Sequence, residues 1–403
     1  MKNDYSIGPK MYQWLPPMRL TGAHVLRDGE FQRRSLSFAE GQITRGPLPE
    51  VDLSGYLILP GIIDLHGDGF ERHLSPRPTA PFDPKLGLAS ADRELAANGI
   101  TTAWFAQSWS WEGGARGPEK AEALMAALAQ YRPQMLSDIR LQIRAETHTI
   151  DTGAQLLAAI KRFGIDYVVF NNHLPEAQSL WENNPARLEI WARQSNRTAS
   201  ELIEVVRTAT DQAPEVPRHL CQLAEAFDQM GVLYGSHDDP DAETREYYRM
   251  LGARIAEFPT SRSAAATAQA MNDPVIMGAP NVVRGGSQSG NIAATALIED
   301  GLCDALVSDY YYPALAEAIW CLSDQGLLSF AKAWAMISTK PAEILELSDR
   351  GSLTPGKRAD LVVVNPDTRK IEATISAGRL IWMAGSAASR FMGMRHVQQL
   401  AAE

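Results

Sequence analysis

Between about residues 61 and 348, short apolar runs alternate with longer stretches rich in Ala, Leu, Glu and Arg. Sustained over that length, the alternation is the pattern of repeated βα units around a parallel sheet. The apolar runs are GIIDLH (61–66), ITTAWFA (100–106), IRLQIRAE (139–146), DYVVFNN (166–172), GVLYGSH (231–237), ARIAEFP (253–259), PVIMGAP (274–280) and CDALVSD (303–309). Eight such strands, each followed by a helix, close on themselves, so the spacing predicts an α/β fold, a TIM (β/α)8 barrel over 61–348. PEKAEALMAALAQY (118–131) and DAETREYYRMLGA (241–253) read as two of its helices. The gap at 174–230 is too long for one barrel helix and predicts a helical insertion over the mouth of the barrel.

The flanks read differently. Residues 18–59 and 351–384 break short β-rich runs with Gly, Asp-Gly, Pro-Gly and Asn-Pro-Asp, which is strand-and-turn chemistry. Segments 1–60 and 349–403 are therefore expected to pair into one small β-sheet domain, plus tails. A formal charge of −10 argues against nucleic-acid or membrane-surface partners, since both are polyanions. It leaves a small-molecule substrate and the option of a homo-oligomer. Cys221, Cys303 and Cys321 have no CxxC spacing, and no apolar run approaches the roughly 18 residues that span a bilayer. A reducing cytoplasm is the expected location.

Active sites of such barrels form at the C-terminal ends of the strands, so the polar residues there matter more than polar residues elsewhere. The first run ends in His66-Gly67-Asp68, whose i, i+2 spacing aims two donors to one side of an extended chain. The third ends in Glu146, His173 follows the fourth, the fifth ends in His237 and the eighth in Asp309. Three imidazoles and three carboxylates on neighbouring strand ends suit one or two divalent ions, zinc first, with manganese or iron also compatible. Glu146 is placed to bridge two of them. A lone His or Glu at a strand end is more often a cap or ion-pair partner than a ligand; six together favour the metal. His24, His219 and His396 fall where packing or surface roles are expected, and His73 and His148 where supporting ones are.

The motifs PGIIDLHGDG and STKPAEILEL…GSLTPGKRADLVVVNPD (338–367) resemble the opening strand and the closing passage of the amidohydrolase superfamily. Within it, DLHGDGFERHLSPRP (64–78), NGITT (98–102), GSHDD (235–239), AEFPTS (256–261), MGAPNVVRGGSQSGN (277–291) and SDYYYP (308–313) are similar to the α-D-ribose 1-methylphosphonate 5-triphosphate diphosphatase family of phosphonate metabolism. That resemblance implies a metal-dependent hydrolase that cuts a ribosyl 5-triphosphate by attack of metal-bound hydroxide, releasing pyrophosphate. His66, Asp68, Glu146, His173, His237 and Asp309 match its metal and catalytic positions, with Asp309 as general base.

Arg77 in SPRP and Arg284 in NVVRGGSQSGN are candidate phosphate ligands, and Ser287, Ser289 and Asn291 offer further donors. Two stretches depart from the family. FNNHLPEAQSLW stands where the family has Asp-His followed by Pro-Gly and a basic or Gln segment, and Gln288 stands where the family has histidine in Ser-His-Ser-Gly-Asn. Both fall where substrate should sit. The alternative is an amidohydrolase or deaminase acting on a C–N bond of a cyclic amide or amino-substituted ring. A non-catalytic relative would be expected to lack some of the six ligands, and none is missing.

Overall fold

A computed structural model describes residues 14–77, 80–195, 197–287 and 289–393. Its centre is an eight-stranded parallel sheet in sequence order. The strands are β1 (Ile62–Gly67), β2 (Ile100–Trp109), β3 (Asp138–Glu146), β4 (Tyr167–Asn171), β5 (Leu233–His237), β6 (Ala256–Glu257), β7 (Val275–Gly278) and β8 (Ala305–Val307). Each falls on one of the apolar runs of the sequence. The ring closes where Gly67 bridges Asp309. There the Asp309 amide donates to the His66 carbonyl at 3.0 Å and the Asp68 amide to the Asp309 carbonyl at 2.9 Å.

Alternation along the strands sorts side chains into two layers. Ile63, Leu65, Trp104, Tyr167, Val169, Ile255, Ile276, Ala305 and Val307 fill the barrel. Phe105, Ile139, Ile143, Phe170 and Leu306 face the surrounding helices. Both faces are covered, which is why the strands read as nearly continuous apolar runs.

The chain ends meet in the expected small β-sheet domain, which is built of two sheets. A six-stranded sheet joins both ends of the chain, with Leu361–Asn365 antiparallel to Leu57–Pro60. A four-stranded sheet comes from the N-terminal segment alone, with Met18–Thr21 between Leu36–Ala39 and Glu50–Asp52. Leu20, Phe38, Ile58, Leu361 and Val363 share one apolar core. The shared sheet presents an apolar face that needs a cover, and the second sheet supplies it.

The connection from β4 to β5 contains helices Leu174–Asn183, Pro185–Gln194, Ala199–Asp211 and Val216–Met230. The last packs into the main core through Leu220, Leu223 and Phe227. The first three gather around Trp111, Trp181 and Trp191. Thr198 and Glu201 form a reciprocal capping box that starts the third of them. Among the described residues no helix is long and apolar enough to cross a membrane, and all three cysteines are free thiols.

Candidate active site

The first strand reaches the site through an irregularity. Between Asp64 and Gly67 its register against β2 shifts, as a bulge does when it re-aims a side chain. Asp64 turns away from the barrel and accepts hydrogen bonds from the Ser308 amide at 3.0 Å and hydroxyl at 2.6 Å. Leu65 joins the interior core, and His66 is brought into the mouth. Only glycine fits at 67, because a Cβ would sit 2.8 Å from Asp64 Oδ2 and 2.9 Å from Ser308 Oγ.

His66 is fully buried, with Nδ1 2.9 Å from Glu257 Oε2. The other Glu257 oxygen accepts from Gln142 Nε2 at 2.7 Å and from the Tyr167 hydroxyl at 2.5 Å. With both oxygens engaged, Glu257 orients His66 and directs its second nitrogen outward. That nitrogen, Nε2, is buried and has no hydrogen-bond partner among the described residues. The His237 ring lies 5.2 Å from that of His66. Its Nδ1 approaches Asp238 Oδ2 to 3.0 Å off the hydrogen-bonding direction, so it too is buried without a hydrogen bond.

Burial works against the His66 imidazolium, but the Glu257 carboxylate outweighs it and raises the pKa above the ordinary value. Burial lowers that of His237. Burial, reinforced by the Asp68 carboxylate, pushes Asp309 up to about 6. Buried imidazole nitrogens without hydrogen bonds among the described residues, beside two carboxylates, are the donor set a divalent cation takes, so the residues fit such an ion. Asp238, Phe258 and Asp309, each just beyond a strand end, hold the left-handed conformation with φ of 60°, 50° and 54°. Non-glycine residues in that region cost about 1–3 kcal/mol each and cluster where a site is held in a set geometry.

A cavity of about 270 Å³ opens above these groups. His66, Asp68, His237 and Asp309 form one wall, and Arg284, Ser287, Ser289 and Asn291 line another. Arg284 ends the helix Ala279–Arg284 and donates to the Tyr310 hydroxyl at 3.3 Å. The Ser289 amide donates to Ser287 Oγ at 3.1 Å. Gln288 lies outside the described residues. Arg144, on β3, also lines the cavity, is 9% exposed, and has an Nε buried without a hydrogen-bond partner.

Glu146 and His173 are placed differently. His173 Nδ1 lies 2.6 Å from Glu146 Oε1, which also accepts from Asn171 Nδ2 at 2.7 Å. The His173 amide donates to Glu146 Oε2 at 3.1 Å. Glu112, from the loop after β2, lies 3.6 Å from His173 and binds Arg116 and the Trp191 indole. The expected set is thus divided: four members line the cavity with the Arg284 loop, and two form a neighbouring ion pair.

Arg77 is exposed and is not in the cavity wall, because the Ser75 hydroxyl folds the loop back onto the Arg77 carbonyl at 2.7 Å. His73 pairs with Glu94 at 2.6 Å, and His148 bonds Thr147 Oγ1 at 2.9 Å. Sequence reading missed Arg144 and Glu257. The period-2 series Gln142, Arg144, Glu146 points to the first; Glu257 is the last residue of β6, a strand-end carboxylate like those singled out elsewhere. Glu112 and Trp191 carry no comparable signal, since a loop and a distant helix bring them together.

Fold and site together define a barrel hydrolase of the amidohydrolase type. Residues 84–385 match the amidohydrolase family, and the chain belongs to that family. It is 31% identical over 359 residues to the α-D-ribose 1-methylphosphonate 5-triphosphate diphosphatase of Escherichia coli (strain K12), covering 86% of this chain and 91% of that protein. Among solved structures it is similar to the β-aspartyl dipeptidase of Fervidobacterium islandicum AW-1, with TM-score 0.61 and 15% identity over 96% of this chain and 100% of that one. The N-acyl-D-glutamate deacylase of Bordetella bronchiseptica gives TM-score 0.59 and 14% identity over 92% and 97%. At such identities these two show the fold alone.

Proposed function

We propose that the protein hydrolyses a ribosyl 5-triphosphate of the α-D-ribose 1-methylphosphonate 5-triphosphate type to the 5-phosphate and pyrophosphate. The observation that carries the reading is the two-walled cavity, with acids and imidazoles facing an Arg/Ser/Asn loop. The first wall suits a cation and a water, and the second suits phosphoryl oxygens. The 31% identity to the diphosphatase of Escherichia coli supports this substrate class.

In this reading His66, Asp68, His237 and Asp309 hold a divalent ion, zinc first by donor chemistry. When bound, the ion lowers the pKa of water and offsets charge on phosphoryl oxygens. Asp309 accepts the proton of the attacking water. The water oxygen bonds to the α-phosphorus, the α–β bridging P–O bond breaks, and its electron pair leaves on pyrophosphate. Arg284, Ser287, Ser289 and Asn291 hold that departing group. Glu257 keeps His66 in its tautomer. Glu146 and His173 support the mouth as an ion pair.

The test is a turnover screen with ribosyl 5-triphosphates, nucleoside triphosphates and cyclic amides, assayed for pyrophosphate and ammonia. Pyrophosphate release from a ribosyl 5-triphosphate, weakened through KM by Arg284→Ala, is the expected result. Ammonia or ring opening without pyrophosphate would replace this reading by the C–N hydrolase one.

A further inference from the structure

The mechanism above gives no work to the buried cation Arg144, which lines the cavity. Arg144 projects from β3 two residues above Gln142, which bonds Glu257, and two below Glu146, which pairs with His173. It therefore stands between the buried group His66, His237 and Glu257 and the group Glu112, Glu146 and His173. Its charge is felt by His66, His237 and Asp309 on one side and by Glu146 and His173 on the other.

Burying a guanidinium is costly unless its donors are satisfied. Here Nε is buried with no hydrogen-bond partner among the described residues, while the side chain lines the cavity. A residue serving only to balance carboxylates would be expected to sit in bonding contact with one, as Arg350 does with Asp138 at 2.7 Å. The planar fork of a guanidinium matches two oxygens of one phosphoryl group.

We propose that Arg144 is a catalytic residue that grips the non-bridging oxygens of the phosphoryl group under attack, and so fixes the direction in which the triphosphate lies. The inference rests on the proposed phosphoanhydride reaction. Two cations line the cavity at different depths: Arg144 is buried beside His66 and Asp309, and Arg284 is exposed at the rim. The α-phosphorus, which must meet water and Asp309, belongs at the deep cation. The β- and γ-phosphates then extend toward Arg284, Ser287, Ser289 and Asn291, from where pyrophosphate departs to solvent. A reversed chain would place the γ-phosphate at Asp309 and release inorganic phosphate instead.

The experiment uses the metal-loaded full chain with Arg144→Lys, Arg144→Met and Arg284→Ala. The probes are ribose 5-phosphate, which carries only the phosphate assigned to Arg144, and inorganic pyrophosphate. Metal content and thermal midpoint of each variant are measured first. Arg144→Met is expected to keep its metal and to lose about 10²–10³-fold in kcat, the usual cost of removing one donor to developing charge. Its affinity for ribose 5-phosphate should fall about tenfold or more, with pyrophosphate affinity nearly unchanged, by the worth of a charge-assisted contact. Arg284→Ala should do the converse, and Arg144→Lys, which keeps charge but not the fork, should recover part of kcat.

Equal loss of both ligands in Arg144→Met, or metal loss that accounts for the whole effect, overturns the assignment. So does unchanged kcat on a triphosphate the wild type cleaves. If the wild type cleaves no triphosphate yet binds ribose 5-phosphate through Arg144, the proposed reaction fails while the phosphoryl contact stands. If neither ligand depends on Arg144, the contact fails whatever the reaction.

Discussion

The two sides of the barrel mouth handle buried charge in opposite ways. On the side of β1, β5 and β8, His66 Nε2 and His237 Nδ1 are buried without hydrogen bonds beside Asp68 and Asp309. On the side of β3 and β4, Glu146 and His173 satisfy each other at 2.6 Å, with Asn171 and a backbone amide completing the carboxylate. Unsatisfied buried donors and acceptors are costly in a folded protein unless a ligand answers them. The first side leaves imidazole nitrogens without hydrogen bonds among the described residues, whereas the second pairs its donors and acceptors within the chain. Both sides stand on strand ends, and each groups three His or Glu side chains within ligating distance of one another, His66, His237 and Glu257 on the first and Glu112, Glu146 and His173 on the second.

The sharpest way to break the comparison is to remove one member from each side. Asp309→Asn should lower kcat/KM by about 10²–10⁴-fold, the worth of a positioned general base. His173→Ala should lower it less than about tenfold, since it disturbs support rather than reacting atoms. Comparable losses, in steady-state kinetics of metal-loaded protein, would mean that the two sides form one centre.

A smaller effect sharpens the first side. Glu257 touches His66 Nδ1 and two other donors, so Glu257→Gln should weaken metal affinity by about 10–100-fold. Competition against a chelator of known affinity measures this. Unchanged affinity would remove Glu257 from its orienting role and leave it as a core residue. On the second side, His173→Ala should lower unfolding free energy by about 1.5–3 kcal/mol in the metal-free protein, the range for a hydrogen bond to a charged group. Urea titration checks it, and a loss of metal in this variant would again join the two sides.

Much of this was legible in the sequence, and the limits follow from range. The barrel could be read because each strand is a local run and both its faces are apolar. His66, Asp68, His237 and Asp309 could be read because a strand end is a local position. The Glu146–His173 pairing could not, because whether two strand-end residues face the cavity or each other depends on rotamers and on Glu112, Arg116 and Trp191 nearby. Whether Arg77 lines the cavity is likewise not local to its motif, and its loop leaves it exposed and outside the lining. The second small sheet was hidden because strands of three or four residues carry no signal of which sheet they join.

The smallest effect is one of shape, and it separates the two sides by pH in the metal-free protein. Burial opposes the charged form of Glu146, but His173 outweighs it and holds the carboxyl below its ordinary value of 4.5. Burial likewise opposes the His173 imidazolium, but Glu146 outweighs it and raises the pKa above 6.5. A depressed carboxyl stabilises above its unfolded value and loses that contribution as pH falls through the folded one. A raised imidazole stabilises below its unfolded value and loses that contribution as pH rises through the folded one. The pair therefore contributes fully between about pH 4.5 and 6.5 and fades above it. Asp309 carries the other sign: its carboxyl is raised from 3.8 to about 6, so its burial costs little below 3.8 and reaches its full cost above about 6. Asp309 and the Glu146–His173 pair thus each make the metal-free protein less stable as pH rises, over different stretches, and His66, raised above 6.5 by Glu257, adds to the upper one. Asp309→Asn should flatten the decline between about pH 4 and 6, and His173→Ala should remove part of the decline above about 6.5, the part owed to His66 remaining. Urea midpoints across pH 4.5–8 for the wild type and both variants read this directly, and three parallel curves would show that neither group titrates as its surroundings require.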